Sequence, residues 1–138
     1  MIKPYYLLDT SVITEPVREN PNPKIIARIE KYVNVGAISA PTLYELYHGL
    51  DFVKDENRRD KLYKYITSVV RSLFSVVPYD DFSASVQADF RLRDKTKKVN
   101  MRDLVQAAVS KSNNMILATK EPGRYANIIG LTVEDWSD

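Results

Sequence analysis

The chain has 138 residues, 44% of them apolar and 28% charged, which is the make-up of a globular domain rather than of a disordered or low-complexity chain. It has no cysteine and one histidine, His48, which excludes disulfide scaffolds, thiol catalysis and zinc motifs built on cysteines or on a histidine pair. Twenty basic and eighteen acidic residues leave a net charge of +2, too small to name a nucleic-acid partner by itself.

The longest charge-free run, Tyr32 to Tyr44, falls well short of the roughly 20 apolar residues of a membrane-spanning helix. Lys3, Asp9, Glu15, Arg18 and Glu19 break up the first twenty residues, so no secretory signal and a cytoplasmic location are expected. No repeat or Pro/Gly/Ser-rich linker divides the chain, and residues 1–138 are expected to form one domain.

In chain order, Tyr5 to Leu8 reads as a short buried strand ending at Asp9. Val12-Ile13 and then Ile25, Ile26 and Ile29 predict two short helices around the Asn20-Pro21-Asn22-Pro23 break. Val35 to Ser39 is a second strand. Pro41, which needs no N–H partner in a first turn, opens a helix carrying Leu43, Leu46, Tyr47 and Leu50. Leu62, Tyr65, Ile66, Val69, Val70 and Leu73 form the most regular helical stripe. Ser75 to Val77 is a strand. Phe82, Val86 and Phe90 mark a helix that runs into a basic stretch, and Leu104, Val105, Ala108 and Val109 mark another. Met115 to Ala118 is a strand, a last one is expected within Ile128 to Val133, and Trp136 should pack it.

Alternating strands and helices predict an α/β fold with a mostly parallel sheet and helices on both faces. Sites in such sheets form beyond the carboxyl ends of the strands. Asp9 follows the first strand, Glu45 lies on the helix after the second, Asp103 opens a late helix, and Glu121 follows the Met115–Ala118 strand. Four carboxylates gathered at one edge repel each other unless a cation joins them. Mg²⁺ and Mn²⁺ prefer such oxygens, and ions of this kind support phosphodiester hydrolysis. The stretch from Arg91 to Arg102 holds Arg91, Arg93, Lys95, Lys97, Lys98 and Arg102 against Asp94 alone, which would suit a phosphate backbone.

Each acid also has an ordinary structural reading. Asp9 stands where a helix N-cap stands, with Ser11 beside it. Asp103 follows Asn100 at capping-box spacing. Glu45 falls about 140° from the centre of its helix's apolar stripe, which predicts a solvated glutamate. Glu121 precedes Pro122-Gly123 in a turn. Spacing alone leaves these readings open. His48 reads as an exposed helical histidine, and the tyrosines, Tyr44 and Tyr47 among them, read as packing or partner contacts before base-stacking groups.

The order of these segments resembles the PIN-domain family. The carriers are Leu7-Leu8-Asp9-Thr10-Ser11-Val12-Ile13, Leu43-Tyr44-Glu45-Leu46, Asp103-Leu104-Val105-Gln106-Ala107-Ala108 and Ala118-Thr119-Lys120-Glu121. Ile13-Thr14-Glu15-Pro16 and the closing Gly130 to Trp136 resemble the VapC/FitB-type toxins. The resemblance implies a three-layer α/β/α domain and a Mg²⁺- or Mn²⁺-dependent ribonuclease, usually the toxin of a toxin–antitoxin pair. It puts the family's acids on Asp9, Glu45, Asp103 and Glu121, and its supporting hydroxyls on Thr10 and Ser11. Glu121 is one methylene longer than the Asp or Asn usual at that place. The RNA backbone would lie on Arg91, Arg93, Lys97, Lys98 and Arg102, with help from Lys120 or Arg124. The resemblance also implies a homodimer and an antitoxin partner.

Three other readings compete, one of which keeps the nuclease but gives it DNA, because the site chemistry does not separate DNA from RNA and only the resemblance favours RNA. A nucleotide- or flavin-binding module is disfavoured because Gly36, Gly49, Gly123 and Gly130 form neither G-x-G-x-x-G nor a P-loop. A catalytically idle PIN-like protein that binds RNA or a partner keeps the fold without the chemistry.

Overall fold

The computed structural model describes residues 4–94 and 98–138. Five parallel strands form one sheet in the order β3-β2-β1-β4-β5, comprising β1 (Tyr6–Leu8), β2 (Gly36–Ser39), β3 (Ser75–Val77), β4 (Ile116–Thr119) and β5 (Val133–Asp135). The register sets Leu7 beside Ala37 on one side and Leu117 on the other, so β1 is central and buried on both faces.

Strand side chains alternate between the two faces. Tyr6, Leu8 and Ile38 join a core with Val12 and Ile13 of α1 (Thr10–Ile13), Ile25 of α2 (Pro23–Tyr32) and Leu46 of α3 (Ala40–Gly49). Leu7, Ala37 and Leu117 face Phe90 of α6 (Asp81–Arg93) and Leu104, Ala107 and Ala108 of α7 (Met101–Ser112). The result is the expected α/β/α layering.

The helix starts follow the sequence signals. Asn22, Ser39 and Asn100 cap α2, α3 and α7 by accepting from Lys24, Thr42 and Asp103 backbone N–H groups, and Asp80 with Ser83 forms a capping box on α6. Pro23 and Pro41 occupy first turns.

Two expectations are corrected. The most regular stripe does not form one uninterrupted α-helix. After α4 (Glu56–Lys64) the chain makes a π-helical segment, Tyr65–Val70, before α5 (Arg71–Leu73). The wider turn changes the angle per residue. Ile66 and Val70 stay fully buried, whereas Val69 and Leu73 are exposed. The last strand begins only at Val133, where the expected window ends, because the turn around Gly130, with φ of +89°, delays its entry into the sheet. Trp136, just beyond β5, is fully buried with its ring edge against Tyr6 at 5.2 Å. Among the described residues no helix is long and apolar enough to cross a membrane.

Candidate active site

Asp9 follows the central strand, and its backbone holds the N-cap position of α1. Its side chain makes no cap. Oδ2 accepts from Ser11 Oγ at 3.0 Å and Thr119 Oγ1 at 2.9 Å, and Oδ1 accepts from Tyr125 OH at 3.2 Å and Gln106 Nε2 at 3.5 Å. Among the described residues, this carboxylate, 6% exposed, therefore has four neutral donors and no cation bonded to it. Gln106 is itself held by a second set of contacts, because its Oε1 accepts from Ser39 Oγ at 2.6 Å and Thr42 Oγ1 at 3.3 Å. This buried polar network ties the start of α3 and the middle of α7 to Asp9.

Glu45 is not the freely solvated residue expected from its helical angle. It lies off the apolar stripe, but that side of α3 faces α1. Thr10 Oγ1 donates to Oε2 at 3.2 Å, and Arg102 Nε lies 3.8 Å from Oε1. Burial raises its pKa, and the Asp9 charge adds to this, against the opposing pull of Arg102 and the Thr10 hydroxyl.

Asp103 sits in the first turn of α7, where the helix dipole favours an anion. Asn100 accepts from its backbone N–H at 2.9 Å, but the Asp103 carboxylate does not return the bond. It faces Arg124 instead. Nη2 donates to Oδ1 at 2.8 Å and Nε to Oδ2 at 3.2 Å, which is a two-pronged fork. The third guanidinium nitrogen, Nη1, donates to Glu121 Oε2 at 3.1 Å. Burial works against the Arg124 charge, but the bonds to Glu121 and Asp103 outweigh it and raise its pKa. Glu121 leaves β4 in a turn, with its backbone N–H on Thr119 Oγ1 at 3.0 Å, and its side chain is half exposed.

All four acids line one open cavity of about 250 Å³, together with Thr10, Ser11, Gln106, Arg124 and Tyr125. A larger groove of about 480 Å³ runs between Val17–Glu19 and α4, but its charged lining is mostly basic, from Arg18, Arg58 and Lys61.

This arrangement sits on a fold with known counterparts. The PIN domain profile matches residues 6–126. The chain belongs to the PIN domain family. Toxin FitB of Neisseria gonorrhoeae is 28% identical across 96% of this chain and 99% of its own length. Ribonuclease VapC of Rickettsia bellii is 31% identical, covering 92% and 95%. A chain in the crystal structure of FitAcB from Neisseria gonorrhoeae superposes with a TM-score of 0.85 at 26% identity, covering 95% of this chain and 97% of that one.

The oxygen donors of this PIN domain suit a hard divalent ion, and they share one cavity. Among the described residues, however, no three acidic or histidine side chains lie close enough to hold an ion together. Two of the four acids, Asp103 and Glu121, bond to Arg124.

The basic stretch is divided in this PIN domain. Arg91 pairs with Asp94 at 3.3 Å and Arg93 with Asp89 at 3.0 Å, both along α6 and its end. Among the described residues of the group, Arg102 alone lines the acidic cavity. Lys98 is exposed, and Lys97 lies outside the described residues. His48 is exposed on α3, stacked against Tyr44 and edge-on to Phe52.

Thr119, Gln106 and Tyr125 carry no role in the sequence reading, although they supply three of the four donors to Asp9. Gln106 could have been found, because it lies one turn beyond Asp103 on an otherwise apolar face. Tyr125 carries no comparable signal, since an aromatic near a chain turn is ordinarily packing.

Proposed function

We propose that this PIN domain is a metal-dependent endoribonuclease and the toxin of a VapBC-type toxin–antitoxin pair. The observation that carries this reading is the convergence of Asp9, Glu45, Asp103 and Glu121, from four separate chain segments, on one cavity. The names of its relatives, Toxin FitB and Ribonuclease VapC, support the same reading. So do solved relatives described as the complexes FitAcB and FitAB, the latter bound to a DNA fragment.

Asp9, Asp103 and Glu45, with Glu121, would hold Mg²⁺ or Mn²⁺. When bound, a divalent ion supplies an acidified water at neutral pH and offsets negative charge on the phosphate. The four donors around Asp9 fix its carboxylate so that its position does not depend on the ion. Thr10 orients Glu45, and Ser11 orients Asp9. Arg102 at the rim, and Lys98, Arg91, Arg93 and Lys97 along the basic stretch, position the RNA backbone. An antitoxin covers the cleft, and two copies of the chain, each a single cytoplasmic domain, form a homodimer.

A second reading, an idle PIN-like RNA- or partner-binding protein, draws on the Arg124 fork. One experiment separates the two. Purified protein free of antitoxin is incubated with structured RNAs and Mg²⁺ or Mn²⁺. Cleavage that stops with EDTA, and in folded Asp9→Asn and Asp103→Asn variants, is the expected result. Undiminished cleavage in either variant refutes the mechanism, no cleavage at all favours the idle protein, and cleavage of DNA alone changes the substrate.

A further inference from the structure

Arg124 uses all three of its guanidinium nitrogens on two of the four cavity acids, two on Asp103 and one on Glu121. The guanidinium belongs to the same chain, 21 residues from Asp103 and three from Glu121. Its side chain is 31% exposed, so it has a way out toward solvent. Asp9 is the contrast, because neutral donors satisfy it and none of them needs to leave when a cation approaches.

From this contrast we infer that Arg124 is a built-in rival of the divalent ion. It clasps Asp103 and Glu121, and must give up its two-oxygen grip on Asp103 before an ion can be held there through both oxygens. The inference rests on the metal-dependent reading above and concerns its regulation. A guanidinium and a divalent cation compete for the same carboxylate lone pairs, and both cannot hold Asp103 through both oxygens. The four acids share the cavity, yet among the described residues no three of them stand close enough to hold an ion together, which agrees with a pocket held in a rival's geometry. The length of Glu121 fits this role. At i−3 from Arg124, the longer carboxylate reaches Nη1 and steadies the fork from the exposed side.

Release has a chemical consequence. A guanidinium freed from Asp103 stays charged, and its fork matches the non-bridging oxygens of a phosphodiester. Arg124 would then face substrate only in molecules that had already taken up an ion. It is therefore a positioning residue whose availability depends on occupancy of the metal site.

The test measures Mn²⁺ affinity without RNA, by titration calorimetry and by electron paramagnetic resonance of free Mn²⁺. The proteins are wild type, Arg124→Gln, Arg124→Lys and Arg102→Gln, each checked for folding by circular dichroism. Arg124→Gln should bind about tenfold more tightly than wild type, the scale expected when charge-assisted bonds no longer compete. Arg124→Lys keeps the charge without the fork and should fall between the two. Arg102→Gln removes an equal charge from a single, longer contact with Glu45 and should change affinity much less.

In wild type, Mg²⁺ should also shift or broaden the Nε–Hε resonance of Arg124, a readout that survives even if a variant fails to fold. Equal affinity in wild type and folded Arg124→Gln overturns the inference and leaves the metal-dependent nuclease standing. Equal tightening in Arg102→Gln, or Mg²⁺ binding with the Arg124 resonance unmoved, overturns it likewise. Failure of every protein to bind Mn²⁺ removes both the inference and the reading beneath it.

Discussion

The Tyr125 hydroxyl donates to Asp9 Oδ1 across 3.2 Å, although 116 positions separate the two residues. Burial, with the nearby Asp9 and Asp103 charges, raises the phenol pKa, so Tyr125 keeps its proton and remains a donor. Tyr125→Phe leaves the ring in place and removes only that bond. Under the proposed function, RNA cleavage should fall about tenfold, the lower end for a group that supports a carboxylate holding a metal. Stability should fall by about 1 kcal/mol. Cleavage kinetics and urea denaturation of the same preparation check both numbers.

Gln106 joins Ser39 and Thr42 to Asp9 inside the protein. Gln106→Leu takes the acceptor away from two buried hydroxyls without changing the size of the side chain greatly. The expected cost is about 1–3 kcal/mol, with activity lost as well because Asp9 loses a donor. A variant as stable as wild type would mean that the network contributes little to the fold.

Glu45 makes stability depend on pH. Its folded pKa lies above the ordinary 4.5, so the folded protein binds this proton more tightly than the unfolded chain does. Its contribution is fully present below the unfolded value and is lost as pH rises through the raised folded value. Glu45→Gln does not titrate. The stability of wild type minus that of Glu45→Gln, measured in metal-free buffer, should therefore decline as pH rises from about 4.5 and then level off. A difference that grows with pH would contradict the burial of this carboxylate.

Glu15 has the opposite sign. It is buried, and burial alone would raise its pKa. Lys120 Nζ at 2.9 Å, the Asn22 backbone N–H at 3.0 Å and Arg18 at 3.6 Å together outweigh burial and lower it. The stability this supplies is present above the unfolded value of 4.5 and is lost as pH falls through the lower folded value. Lys120→Met should cost about 2 kcal/mol at pH 7, where a buried carboxylate loses its nearest cation while Arg18 remains. The cost should shrink in acid. Thermal melting of both proteins between pH 3 and 7 tests this.

Much of the fold was legible because short apolar runs and capping residues act locally. Pro41 marks the start of α3, and Asn100 marks that of α7. The π segment at Tyr65–Val70 was not legible, because an extra residue in one turn leaves no mark in an apolar stripe. The four acids were legible as residues that follow strands. The environment of Glu45 was not, since a helical angle reports distance from the apolar stripe and says nothing of which neighbour covers the other side. Arg124 was legible only as a cation. Its fork on Asp103 depends on the turn after β4 returning toward the start of α7, a long-range relation that one sequence does not display.

The sheet order places β1 between two halves of the chain. Asp9 and Glu45 belong to the part before β3 ends, and Asp103, Thr119, Glu121, Arg124 and Tyr125 belong to the part after it. A break in the connection around Pro78 and Tyr79 would leave two fragments, each with an incomplete set of these groups. Neither piece could cleave anything alone. Mixed together, they would recover function only by re-pairing β4 with β1, so that fragment complementation in this protein would amount to a direct assay of that strand seam.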